Sequence, residues 1–241
     1  MSFFSRLVGN NAEDLREKGR QLVQDGRVAE GITLLQEALA VAVRHRDQKA
    51  EGWVRNTLGI ALKDNGGDVT EAAQHLRLAL DLARNKSDVL LEMQVWSNLG
   101  SCFRLLGNLL QAAQCQKKSL ELAEAHDNPI CYSSSLHNLA GVFEQGGHMD
   151  EAMDCYRQRI QVAARLGDAR GLANSTLRLA TLLLEVGENQ EARQHLMYFS
   201  NNYGNASIPA DVSSALLMLM SQCYSTPTEV VKRTYKLKKL L

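Results

Sequence analysis

The amino-acid sequence predicts an all-α fold: a stack of antiparallel helix pairs, about five of them, followed by a C-terminal capping helix pair. Three observations carry the prediction. Gly26, Gly67, Gly107, Gly147 and Gly187 punctuate the chain at intervals of 41, 40, 40 and 40 residues. A second ladder, Gly19, Gly59, Gly100, Ala140 and Ala180, keeps the same period, and a third, Gly31, Ala72, Ala112, Ala152 and Ala192, follows each turn glycine by five residues. Repeats of this length mark architectures in which each unit buries its apolar face only against its neighbours. Composition agrees: the chain is 45% hydrophobic but only 5% aromatic, with three prolines in 241 residues. That balance suits long helices rich in Leu and Ala better than a large β core.

Taken in order, residues 1–11 form an N-terminal segment whose Phe3, Phe4, Leu7 and Val8 are expected to lie over the first hairpin. Residues 12–208 hold the five tandem hairpins, at 12–45, 48–85, 88–125, 129–166 and 169–203. The third is the clearest. Trp96, Leu99, Gly100 and Phe103 stand at i, i+3, i+4 and i+7, one stripe of a helix. Gly107 ends it, and Ala112, Ser119, Leu120 and Ala123 begin a second stripe of small residues. Helix starts share the register: Asp47, Asp88, Asn128 and Asp168 each precede a stripe, where a side-chain oxygen accepts from first-turn amides. Pro129 and Pro209 suit first helical positions. The one extra residue lies between Gly59 and Gly67, in IALKDNGG, and predicts a longer turn there. Residues 209–241 read as a degenerate sixth unit. Leu216, Met220 and Cys223 continue the stripe, and after Pro227 the segment TEVVKRTYKLKKLL forms a final helix with a basic end (Lys232, Arg233, Lys236, Lys238, Lys239).

Several chemistries are not expected. Lys+Arg and Asp+Glu are both 27, so no global basic field attracts nucleic acid. No apolar run reaches the roughly 18 residues of a transmembrane helix. The five cysteines contain no C-x-x-C pair and fit reduced thiols in the cytoplasm. None of the six histidines sits in a zinc spacing, and Cys115 and Cys155 are equivalent positions of two repeats. There is no phosphate-binding glycine loop and no nucleophile elbow. No enzymatic activity, metal or cofactor is expected.

The repeat resembles the tetratricopeptide repeat (TPR). Of that family's pattern of a large residue, Leu-Gly, an aromatic, a turn Gly, an Ala, a further aromatic and another Ala, the third hairpin offers Trp96, Leu99-Gly100, Phe103, Gly107 and Ala112. The fourth hairpin offers Leu139-Ala140, Phe143, Gly147, Ala152 and Tyr156, and the first Gly19, Leu22, Gly26, Leu35 and Ala38. Gln116 stands where an aromatic is usual, and Arg159 and Phe199 where a small residue is, so looser packing is expected in those second helices. The period departs from the common 34 residues of the family. Forty-residue versions resemble Pins-type G-protein signalling modulators and kinesin light chains, whose triplets are similar to Asn98-Leu-Gly and Asn138-Leu-Ala. The G-protein-binding C-terminal motif of the modulators and the kinesin coiled coil are not recognisable here. The resemblance implies a right-handed superhelical solenoid with a concave, peptide-binding groove.

With the close-packed small residue of each first helix as position 8, positions 4, 7, 8 and 11 face neighbouring helices. At about 100° per residue, positions 2, 6, 9 and 13 point the other way, and the resemblance makes that side the groove. The third hairpin places Gln94, Asn98, Ser101 and Leu105 there, the fourth Ser134, Asn138, Gly141 and Gln145, and the fifth Asn174, Arg178, Thr181 and Glu185. An Asn amide both donates and accepts, so a ladder of Asn98, Asn138 and Arg178 can pair with the peptide groups of an extended chain. Arg16, Arg20, Lys63 and Arg104 make the N-terminal half basic, Glu144 and Glu185 the other half acidic, and an acidic or amphipathic peptide is expected in the first. Trp53, beside Asn56, either anchors a ligand or packs under the first hairpin.

The expected function is a non-enzymatic protein–protein adaptor that takes a peptide segment of a partner in this groove. Two alternatives stand beside it: a structural subunit that packs by its convex face and ends, and a trafficking adaptor whose termini contact lipid. Partner identity and oligomeric state stay open.

Overall fold

The computed structural model of the protein describes residues 11–225. Among the described residues every regular element is an α-helix: α1 (Ala12–Gln24), α2 (Val28–Arg44), α3 (Gln48–Asp64), α4 (Val69–Asn85), α5 (Val89–Leu105), α6 (Leu109–Ala125), α7 (Pro129–Gln145), α8 (Met149–Leu166), α9 (Ala169–Glu185), α10 (Asn189–Tyr203) and α11 (Ala210–Ser225). The expected cover from Phe3 and Phe4, and the final helix and basic tail after Pro227, lie outside the described residues.

The described residues divide into two compact units, which part between Ser135 and Leu136. In the first, α1 packs on α2, α3 on α4 and α5 on α6, as hairpins. Successive hairpins join through α2·α3 and α4·α5, and the first helices also touch each other, α1·α3 and α3·α5. This is the stacking of a TPR-type α-solenoid. Its core runs through Leu35, Leu58, Leu76, Val95 and Leu99, all nearly or wholly buried. In the second unit α9 packs on α8, α10 and α11, and α10 on α11, around buried Tyr156, Leu172, Leu179, Leu183 and Leu196.

Helix ends explain why the units have so little loop. Between hairpins, Asp47 donates its backbone N–H to Ala42 O at 2.9 Å, which closes α2. Its carboxylate accepts from Ala50 N at 3.0 Å, which opens α3. Asp88, Asn128 and Asp168 repeat both bonds, to Ala83, Ala123 and Ala163 on one side and from Leu91, Cys131 and Gly171 on the other. One residue thus terminates one helix and caps the next. The residue before each of them, Arg46, Ser87, Asp127 or Gly167, adopts a left-handed backbone.

Two expectations shift by one residue. Gly66, not Gly67, is the left-handed glycine of the second hairpin, with φ +74°. Gly67 instead donates to Leu62 O at 2.9 Å, and Asp68 caps α4 through Thr70 N. The extra residue therefore lengthens this turn, from three residues to the four between Asp64 and Val69. Pro209 precedes the first residue of α11, and its carbonyl accepts from Ser213 N at 3.0 Å.

The three positions expected to loosen the packing are filled. Gln116 is fully buried and its Nε2 donates to Ser97 O at 2.8 Å. It fits because Gly100 lies against it: a Cβ on Gly100 falls 2.9 Å from Gln116 Cδ, closer still to Nε2, and 3.1 Å from Ala112 O. Arg159 Nη1 donates to Ser175 Oγ at 2.6 Å and Gly171 O at 3.1 Å. Phe199 is buried and stacks on Tyr203 with ring centroids 6.0 Å apart.

Candidate functional site

The first unit carries a cleft of about 370 Å³ on α1, α3 and α5, lined by Arg16, Arg20, Trp53, Asn56 and Gln94 over an apolar floor of Val23, Leu35, Ile60 and Ala61. Its volume lies within the range of small-ligand sites. Five of the sequence-predicted groove residues meet here.

Trp53 is half-buried. Its indole Nε1–H donates to Asp88 Oδ2 at 3.0 Å, and the Arg16 guanidinium lies 5.7 Å from its ring centroid, within cation–π range. Trp53 packs against the core and lines the cleft at once, so the two readings of its role are not exclusive. Arg16 also donates to Thr57 Oγ1 at 3.3 Å and pairs with Glu13. Arg20 pairs with Glu17, its Nε–Oε2 distance 3.0 Å; the hydrogen bond from Arg20 holds the Glu17 carboxyl below the usual range. Lys63 pairs with Asp64. The basic character expected of this half is therefore largely compensated by local carboxylates. Arg104 is half-buried and forms no ion pair among the described residues.

The asparagines also differ from a free ladder. Asn56 is buried, and its Oδ1 accepts from Asn98 Nδ2 at 3.0 Å. The pair joins α3 to α5 and uses one donor of Asn98 and the carbonyl of Asn56. Ser101 is buried, with its hydroxyl turned back to Ser97 O at 3.2 Å. Ser134 is exposed and donates to Ile130 O at 3.0 Å.

In the second unit Asn138 and Asn174 are half-buried on α7 and α9. Arg178 forks onto Glu144, with Nε–Oε1 at 3.3 Å and a shorter Nη2–Oε2 bond. Glu144 also accepts from the Tyr156 hydroxyl. Burial, and then the Glu144 carboxylate, push the Tyr156 pKa well above its ordinary value. Arg178 is thus already held by its own chain, tying α9 to α7 and α8.

Sequence reasoning missed Glu13, Glu17, Glu144 and Tyr156 as partners. The first two were readable, because Glu13/Arg16 and Glu17/Arg20 are i,i+3 pairs on one helix. Glu144 and Arg178 are 34 residues apart and carry no local signal. Among the described residues no group of three or more His, Cys, Asp or Glu is placed to hold a metal ion, and no helix is long and apolar enough to cross a membrane.

Residues 91–165 match the sequence profile of the tetratricopeptide repeat. No protein of curated function matches the chain. Solved structures of similar fold include a kinesin-light-chain-like protein with nearly identical TPR-like repeats from Podosopora anserina. It is 18% identical with a TM-score of 0.63, over 89% of this chain and 97% of that one. Aspartyl phosphate phosphatase F from Bacillus subtilis is similar at 15% identity and TM-score 0.74, over 92% of this chain and 59% of the phosphatase. A Rap protein complexed with Competence and Sporulation Factor is similar at 16% identity and TM-score 0.64, over 94% and 65% of the two chains. These likenesses establish a TPR-type fold.

Proposed function

We propose that the protein is a cytoplasmic adaptor that holds a peptide segment of a partner protein in the cleft of its first unit. The observation that carries this reading is the cleft itself. An apolar floor is rimmed by the Trp53 ring, the amides of Asn56 and Gln94, and two arginines. Such a site offers an anchor pocket for one side chain and amide groups for a peptide backbone. A partner carboxylate that displaces Glu13 or Glu17 gains Arg16 or Arg20 without any change of fold, which favours an acidic or amphipathic segment. The TPR-type fold, the kinesin-light-chain-like neighbour and the Rap neighbour complexed with a factor support an interaction role. The five cysteines are free thiols, which fits a reducing compartment. Ser101, Lys63, Arg104 and Ser134 of the first unit are proposed as further contacts there, and Asn138, Asn174 and Arg178 as contact residues of the second unit taken by itself.

The test is affinity capture with wild-type protein and with Trp53→Ala/Gln94→Ala, compared by quantitative mass spectrometry. A defined set of partners should fall at least about tenfold with the variant while thermal unfolding shows a folded chain. Equal capture by the two proteins overturns the reading. A second reading, a structural subunit joined through its ends, draws on α11, where Leu217 and Met218 are 64% and 58% exposed. It expects Leu217→Ser/Met218→Ser to abolish assembly while the cleft variant assembles normally.

A further inference from the structure

Trp96 and Phe103 match family positions that serve packing between repeats, yet both stay half-buried. They form the floor of a second groove in the first unit, about 550 Å³ in volume, whose other side is α6 with Gln111, Gln114, Lys117, Lys118 and Glu121. This groove shares no lining residue with the Trp53 cleft.

Two arginines of α4 lie over the same rings. The Arg84 guanidinium is 5.1 Å from the Trp96 centroid and that of Arg77 is 5.7 Å from Phe103. They are seven residues apart, as are Trp96 and Phe103, so two cation–ring pairs repeat along the helices at two-turn spacing. Cys115 lines the groove. Burial pushes its thiol up to about 11 against the pull of the Arg77 charge, so the thiol is neutral and Arg77 lies close by.

The charges do not cancel. Arg84 is held by Glu92, its Nε–Oε1 distance 2.9 Å, and Glu92 also accepts from Trp96 Nε1 at 3.3 Å. Lys118 is held by Glu121 at 2.7 Å. Arg77 and Lys117 have no carboxylate within ion-pair distance among the described residues, Asp81 one turn along α4 included. Half-exposed aromatic faces flanked by two uncompensated cations and two glutamine amides match one ligand chemistry: an acidic segment with apolar side chains.

We propose that the Trp96–Phe103 groove is a second docking site, distinct from the cleft, for an acidic amphipathic peptide whose apolar side chains lie on the two rings and whose carboxylates meet Arg77 and Lys117. Two segments can then be held at once by the first unit, one in the cleft on α1, α3 and α5 and one in the groove between α5 and α6. That is a scaffold's arrangement, and the second site does not depend on the first.

The chain has two tryptophans, so Trp53→Phe leaves Trp96 as the only indole emitter. In that background the probes are a peptide alternating Glu and Asp with Leu and Phe, its amide counterpart with Gln and Asn, and its lysine counterpart. The acidic peptide should change Trp96 emission saturably, and the other two should not. Arg77→Glu/Lys117→Glu should weaken the acidic peptide at least about tenfold, and Arg16→Glu/Arg20→Glu should leave it unchanged. If the double reversal disturbs the fold, Lys117→Glu alone, on an exposed side chain, should still weaken binding several-fold. Unchanged emission, equal affinity for the three peptides, or a loss that follows Arg16 and Arg20 instead of Arg77 and Lys117 overturns the proposal. Failure of partner capture through Trp53 and Gln94 would leave it standing.

Discussion

A methyl group at Gly100 tests how tightly α5 and α6 are joined. In Gly100→Ala the new Cβ comes within 2.9 Å of Gln116 Cδ and 3.1 Å of Ala112 O. The backbone oxygen cannot yield, so the glutamine must. Its Nε2 then loses Ser97 O, now 2.8 Å away, while its Oε1 is already buried without a partner. Overpacking of a core costs roughly 1–3 kcal/mol, and an amide left unpaired roughly 1–3 kcal/mol. Alanine returns about 1 kcal/mol of helix propensity. The expected net loss is about 1–5 kcal/mol, read by urea unfolding followed by circular dichroism. Gln116→Ala in the same chain removes the obstacle, so the double variant should be more stable than the sum of the single losses by at least about 1 kcal/mol. A Gly100→Ala protein within about 0.5 kcal/mol of wild type, or strictly additive single variants, would refute the close-packing argument.

Other consequences are as direct. Burial lowers the pKa of His75 and His195 below the ordinary 6.5, against opposing pulls from Glu71 and Glu191. The folded state therefore binds fewer protons than the unfolded chain as pH falls through 6.5. Stability should be full above that pH and decline below it, and His75→Gln/His195→Gln should flatten the decline in denaturant midpoints measured from pH 7.5 to 5.5. Ser87 is exposed with φ +53°, so Ser87→Gly relieves a left-handed residue and should raise stability by about 0.5–1 kcal/mol in thermal unfolding. Tyr156→Phe removes a hydroxyl that donates to Glu144 and should cost about 1–2 kcal/mol by chemical denaturation. Arg178→Ala in the Tyr156→Phe chain should then cost less than in wild type if the three side chains act together.

The helices were legible because their signals are local and repeated. A forty-residue period in small residues set the register, and Asp47, Asp88, Asn128 and Asp168 announced helix starts by their own chemistry. What escaped has no such marker. The left-handed residues Arg46, Ser87, Asp127 and Gly167 keep the same period, but four unrelated side chains hide it, because the conformation is imposed by the bonds on either side. Gln116 read as a weak point because its amide is polar; only the gap left by Gly100 reveals that it fits. At the site, residue types and helix faces were readable for Trp53, Gln94 and Asn98. Their state was not, since Asn56–Asn98 and Glu144–Arg178 are contacts between helices remote in sequence. Trp96 and Phe103 stand at positions that the helix register turns toward neighbouring helices, and nothing local in the sequence signals that both rings stay half-exposed.

The connectors have a mechanical corollary. Because Asp47 and Asp88 each finish one helix with the main chain and start the next with the side chain, a hairpin that frays withdraws half the cap of its neighbour. Melting is then transmitted from unit to unit through single residues, in addition to whatever passes across the packed faces. Asp47→Ala keeps the main-chain bond to Ala42 O and loses the carboxylate that accepts from Ala50 N, so it severs one direction of that transmission and spares the other. Amide exchange should register this as an asymmetry: protection lost in the first turn of α3, while the last turn of α2 keeps its own.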